Sequence, residues 1–178
     1  MTRAPDPLAA DFAALLRHVR TDDAVAGRIR ERHLRLSAAG DATLAGTLLD
    51  LAERGTTVAV RTTAGRMVQG PLTLVGRDVI AIGSTLVASP AIATVRGLAR
   101  RDTSGDRDVA DRVTFAAVLG DLAASHARVA VVVAGDPVVG QLLAAGADIL
   151  TVRVDGNPPA TTLVALAQVS EVTVLASG

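Results

Sequence analysis

The chain repeats itself, and that repeat constrains its fold more than any other feature of its 178 residues. One segment runs Thr57-Val58-Ala59-Val60 and then, after a short loop, Gly65, Val68, Gly70, Leu72, Gly76 and Asp78. A second runs Val129-Ala130-Val131 and then Gly135, Val138, Gly140, Leu142, Gly146 and Asp148. From Gly65 to Asp78 the offset is 70 residues; before Gly65 it is 71, so the second copy has lost one turn residue. Upstream, Leu48, Asp50, Leu51 and Ala52 recur as Leu119, Asp121, Leu122 and Ala123. Downstream, Thr85-Leu86-Val87-Ala88 recurs as Thr162-Leu163-Val164-Ala165 at an offset of 77, a gain of seven residues around Asp155-Gly156-Asn157-Pro158-Pro159. Gaps that fall at turns are what a duplication leaves behind. The Gly and Asp spacings do not follow from an Ala/Val/Leu-rich composition.

Each copy opens with a helical pattern. Leu44, Leu48 and Leu51 make one apolar face; Phe115, Val118, Leu119 and Leu122 make the other. Gly55 marks the end of the first helix. Short strands follow: Val58 and Val60 alternate with Ala59 and Arg61, Met67 to Val75 is a second strand, Asp78 to Ile82 a third, Thr85 to Ala88 a fourth and Ala91 to Val95 a fifth. In the second copy Val129 to Val133 followed by Pro137 to Gly146 also fits strand–helix–strand, as in a doubly wound fold. The first copy argues against a helix there, because Gly70-Pro71 sits at its centre and Pro costs about 3 kcal/mol inside a helix.

Five short strands with a break before the last resemble the small barrels called SH3-like or Sm-like. The resembling residues are Gly65, Val68, Gly70, Leu72, Gly76, Asp78, Ile80 and Ile82, repeated as Gly135, Val138, Gly140, Leu142, Gly146, Asp148, Leu150 and Val152. The expected fold is α+β: an N-terminal helical region, then two tandem five-stranded barrels, each preceded by a helix. The expected boundaries are a helical arm over 1–41, a helix and first barrel over 42–99, a linker over 100–110, and a helix and second barrel over 111–178. Gly70, Gly76, Asp78, Gly140, Gly146 and Asp148 are expected as equivalent turn residues, each Asp bonding to backbone N–H groups of its own turn. In Sm-like RNA binders an Asp in this region works with an Asn a few residues on. Here Val79-Ile80-Ala81-Ile82 and Ile149-Leu150-Thr151-Val152 follow, with no Asn.

Charge is balanced overall, with 18 Arg and 18 acids, but not locally. Residues 1–101 hold 14 Arg against 9 acids; residues 102–178 hold 4 against 9. The first half suits an anionic partner, and equally the halves suit one another. A nucleic-acid surface would draw on Arg28, Arg30, Arg32, Arg35, Arg61, Arg66 and Arg77 through phosphate contacts. The chain has no Trp or Tyr and two Phe, so platforms for base stacking are scarce.

Chemistry-bearing motifs are missing. There is no Cys, hence no disulfide, thiolate nucleophile or thiolate metal site. There is no phosphate-binding Gly-rich loop with Lys, no nucleophile elbow and no His-Glu-x-x-His helix. No metal set, cofactor or catalytic residue is expected. The N-terminus lacks an apolar leader, and no apolar run approaches the roughly 20 residues of a membrane span, so a cytoplasmic protein without membrane contact is expected. The expected function is that of a non-catalytic binding protein, a protein-interaction or self-assembly module with a protein partner or its own copies. The alternative is an Sm-like RNA binder using the Arg-rich first half.

Overall fold

Thr43 and Thr114 open two helices in the same way. In the computed structural model, which describes residues 31–33, 42–97 and 113–176, each Thr hydroxyl accepts the backbone N–H three residues on, at 3.0 Å from Gly46 and 3.2 Å from Ala117. These N-caps start α1 (Leu44–Glu53) and α2 (Phe115–Ala124). Gly55, with φ 61°, ends α1 in the left-handed conformation that favours glycine; His126 takes that position after α2 with φ 52°. The chain divides into two compact units, Met1–Ala42 and Thr43–Gly178. Of the first, residues 31–33 are helical and exposed. Both capped helices and all strands described belong to the second.

Five strands follow each helix. β1 (Thr57–Thr62), β2 (Met67–Val75), β3 (Val79–Ile82), β4 (Thr85–Ala88) and β5 (Ile92–Gly97) form the first copy. β6 (Arg128–Val133), β7 (Asp136–Ala145), β8 (Ile149–Val154), β9 (Ala160–Ala165) and β10 (Val169–Val174) form the second. A single 3-10 turn precedes the last strand of each copy, at Ser89–Ala91 and Leu166–Gln168. β7 occupies the stretch where a helix would have made a doubly wound fold.

Two tandem barrels do not form. The strands make one open, antiparallel sheet of ten in the order β5-β1-β2-β3-β4-β10-β6-β7-β8-β9. This corrects the expected α+β fold. A closed barrel needs the two outer strands of one copy to meet each other. Here the outer edge of β4 pairs with β10 of the other copy, through Glu171↔Val87, Val172↔Leu86 and Thr173↔Thr85. β5 and β9 are left as the ends of the sheet.

The duplication survives in fine detail. β2 slips register between Leu72 and Leu74, and β7 between Leu142 and Ala144. Ser89 N–H donates to the Asp78 carbonyl, and Leu166 N–H to the Asp148 carbonyl, both at 2.8 Å. One core holds Leu48 from α1 with Val58, Val60, Leu72, Ile80, Ile82 and Val87. The other holds Phe115 and Leu119 from α2 with Val129, Val131, Leu142, Leu150 and Val152, and it also takes in Val79, Leu86 and Ala88 from the first copy. The second core therefore spans the junction between copies.

Candidate association edges

The internal junction has three layers of contact. The first is the β4–β10 ladder, with the Thr85 and Thr173 hydroxyls 3.0 Å apart across it. The second is an ion pair between copies: Arg66 Nε donates to Glu171 Oε1 at 2.6 Å, with Glu171 buried and Arg66 half exposed. The third is a docked helix start. Phe115 N–H donates to the Asp78 carboxylate at 2.7 Å, and Arg77 N–H donates to the Val113 carbonyl at 2.9 Å. Gly76 makes room for this, since a Cβ there would collide with the Val113 carbonyl.

Asp78 thus does not bond to its own turn as expected. Its carboxylate ties the β2–β3 turn of one copy to the first turn of the other copy's helix. Asp148 holds the equivalent place between β7 and β8 and is exposed. Nothing among the described residues covers its turn as Val113 covers Gly76: a Cβ on Gly146 would meet only Ile149.

The same contrast runs along both ends of the sheet. Leu86 in β4 is 8% exposed, and its counterpart Leu163 in β9 is 65% exposed. Val79 is fully buried, and its counterpart Ile149 is 39% exposed. Phe115 is 4% exposed, and Leu44, the matching first residue of α1, is 48% exposed. The expected apolar face of α1 therefore includes one residue that no part of the described chain covers. β9 carries no charge and no Pro, and β5 has Arg96 alone. Such an edge lacks the usual protection against pairing with another strand.

Other expected site residues fall elsewhere. Gly76, Asp78, Gly146 and Asp148 lie in turns, but Gly70 and Gly140 lie inside strands β2 and β7. A Cβ on Gly140 would collide with the Arg153 carbonyl, so this glycine permits close approach of β8. Arg61 and Arg77 are exposed, as is Arg32, while Arg66 is committed to Glu171. Arg28, Arg30 and Arg35 lie outside the described residues. Sequence reasoning missed Glu171, Leu44, Ile149 and Leu163. A lone acid inside the run Val169 to Val174 was the available signal for Glu171. The other three look like ordinary core residues until the open edges are known.

A cavity of about 550 Å³ lies where the copies meet, lined in part by Thr63, Asp78, Phe115, Asp148, Gln168 and Ser170. Among the described residues, no group of three or more His, Cys, Asp or Glu could hold a metal ion. No described helix is long and apolar enough to cross a membrane. No family model, curated protein or solved structure matches the chain.

Proposed function

We propose that this chain is a non-catalytic self-assembly module whose association surfaces are the two open edges of its sheet. One observation carries the reading: the positions buried at the internal junction have counterparts at the open edges that are large, apolar and exposed. Burying side chains of the size of Leu44, Ile149 and Leu163 contributes on the order of 1–2 kcal/mol each. Unpaired backbone groups along β5 and β9 would gain partners at the same time.

Sedimentation velocity of the full chain over a wide concentration range tests this reading. The expected result is association that rises with concentration and is lost in Leu163→Lys, with an unchanged circular dichroism spectrum. A parent protein that stays monomeric throughout, or association that Leu163→Lys leaves intact, would overturn it.

A further inference from the structure

We infer that the partner at each open edge is a second copy of this chain joined head to tail, through a contact that repeats the internal β4–β10 junction. The inference rests on the self-assembly reading and adds its polarity and its contacts. The tail is β9 with the turn Gly146–Asp148. The head is β5 with the first turn of α1.

The internal junction supplies the template residue by residue. β9 is the counterpart of β4, and β5 is the counterpart of β10, both at an offset of 77. Transferring the observed register places Val164 opposite Thr94 of the next copy, Leu163 opposite its Val95, and Thr162 opposite its Arg96. Like edges offer no such template, because the described chain pairs neither β4 with β9 nor β5 with β10.

The turns agree with the strands. Val113, Thr114 and Phe115, which dock on the first copy's turn, have Ala42, Thr43 and Leu44 as counterparts. In the head-to-tail contact Leu44 N–H of the next copy donates to the Asp148 carboxylate, as Phe115 N–H does to Asp78. The Ala147 N–H donates to the next copy's Ala42 carbonyl, as Arg77 N–H does to Val113. Gly146 then has the role of Gly76, leaving room for that carbonyl. This accounts for an exposed Gly-Ala-Asp turn built like a docked one.

Charge also complements. At the internal junction Arg66 meets Glu171, whose neighbour on β6 is Val132. The counterpart of Arg66 is Asp136, exposed on the tail. The counterpart of Glu171 is Thr94, whose neighbour on β1 is Arg61, exposed on the head. The template sets Asp136 opposite Thr94 of the next copy, one strand from Arg61, so opposite charges again lie near each other across the contact. A heterologous contact of this kind continues until it closes a ring or extends as a filament.

The absence of Cys makes a disulfide test clean. Thr85→Cys with Thr173→Cys is the internal control, because the hydroxyls they replace are 3.0 Å apart and the two thiols should oxidise to a disulfide within one chain. The test pair is its counterpart, Thr162→Cys in one preparation and Arg96→Cys in another. On mild oxidation, the mixture should yield a disulfide-linked pair with one chain of each kind. Each variant alone should not. The double variant in one chain should give a ladder of covalent multimers.

Thr162→Cys linking to itself as fast as to Arg96→Cys would mean that like edges meet, which overturns the polarity and leaves self-assembly standing. A monomeric parent overturns both. An assembled parent whose test pair never links, while the control does, overturns the head-to-tail contact. Gly146→Ala tests the turn separately. It should weaken association by about tenfold or more with an unchanged circular dichroism spectrum, and Gly146→Ala assembling like the parent would overturn the docking of α1 on that turn.

Discussion

Arg66 reaches across from one copy of the repeat to bond the buried Glu171 of the other, 105 residues away, at 2.6 Å. Only one oxygen of that carboxylate is satisfied, since Glu171 Oε2 is buried without a partner. A half-satisfied buried acid leans heavily on its single cation. Arg66→Ala should therefore destabilise the fold by about 3 kcal/mol, the lower end of the range for leaving a buried charge unpaired, because Arg66 itself is half exposed. Replacing both residues with Met should recover most of that loss, because two apolar side chains leave no charge to desolvate. Urea denaturation of the three proteins checks this; a double variant no more stable than Arg66→Ala would show that the pair is not what matters.

Gly140 and Gly76 should be the least replaceable glycines described. A Cβ on Gly140 meets the Arg153 backbone, and one on Gly76 meets the Val113 carbonyl. Backbone cannot swing aside as a side chain can, so each change to Ala should cost about 2 kcal/mol or more, the scale of overpacking. Thermal unfolding monitored by circular dichroism would read the loss directly. A variant melting with the parent would show that the strands part at little cost.

Two other positions should gain from substitution. Gly120 lies inside α2 with open space where a Cβ would stand, so Gly120→Ala should add about 1 kcal/mol of stability. His126 sits at φ 52° where the first copy has Gly55. His126→Gly should relieve about 1 kcal/mol of left-handed strain. Gly120 lies in the middle of α2 and His126 beyond its C-terminus, so their effects on the urea midpoint should add.

The purified protein should be nearly transparent above 250 nm, having no Trp or Tyr. Its ultraviolet spectrum should not change after a high-salt wash. A band at 260 nm that salt removes would instead bring forward nucleic-acid binding through Arg32, Arg61 and Arg77, exposed on the described surface.

How much was legible depended on the range of the signal. Strands such as Met67–Val75 and Thr85–Ala88 could be read because alternation and turn residues are local. The choice between two barrels and one sheet is not local. β4 and β9 share the string Thr-Leu-Val-Ala, yet one lies mid-sheet and the other at its end. Alternation fixes which face of a strand is buried and is silent about which strand lies beside it. Gly70 and Gly140 misled for a related reason: a glycine that admits a neighbouring strand looks, in one dimension, like a glycine that turns. Asp78 was recognised as distinctive through its repetition, but its partner, the Phe115 N–H, lies 37 residues away.

The β4–β10 junction joins two copies that share one covalent chain. Dilution cannot open it, because its halves never leave each other's neighbourhood. An assembly built from this chain is therefore held by two kinds of seam in strict alternation, one indifferent to concentration and one governed by it. Any closed ring must contain an even number of five-stranded units, and it comes apart in pairs.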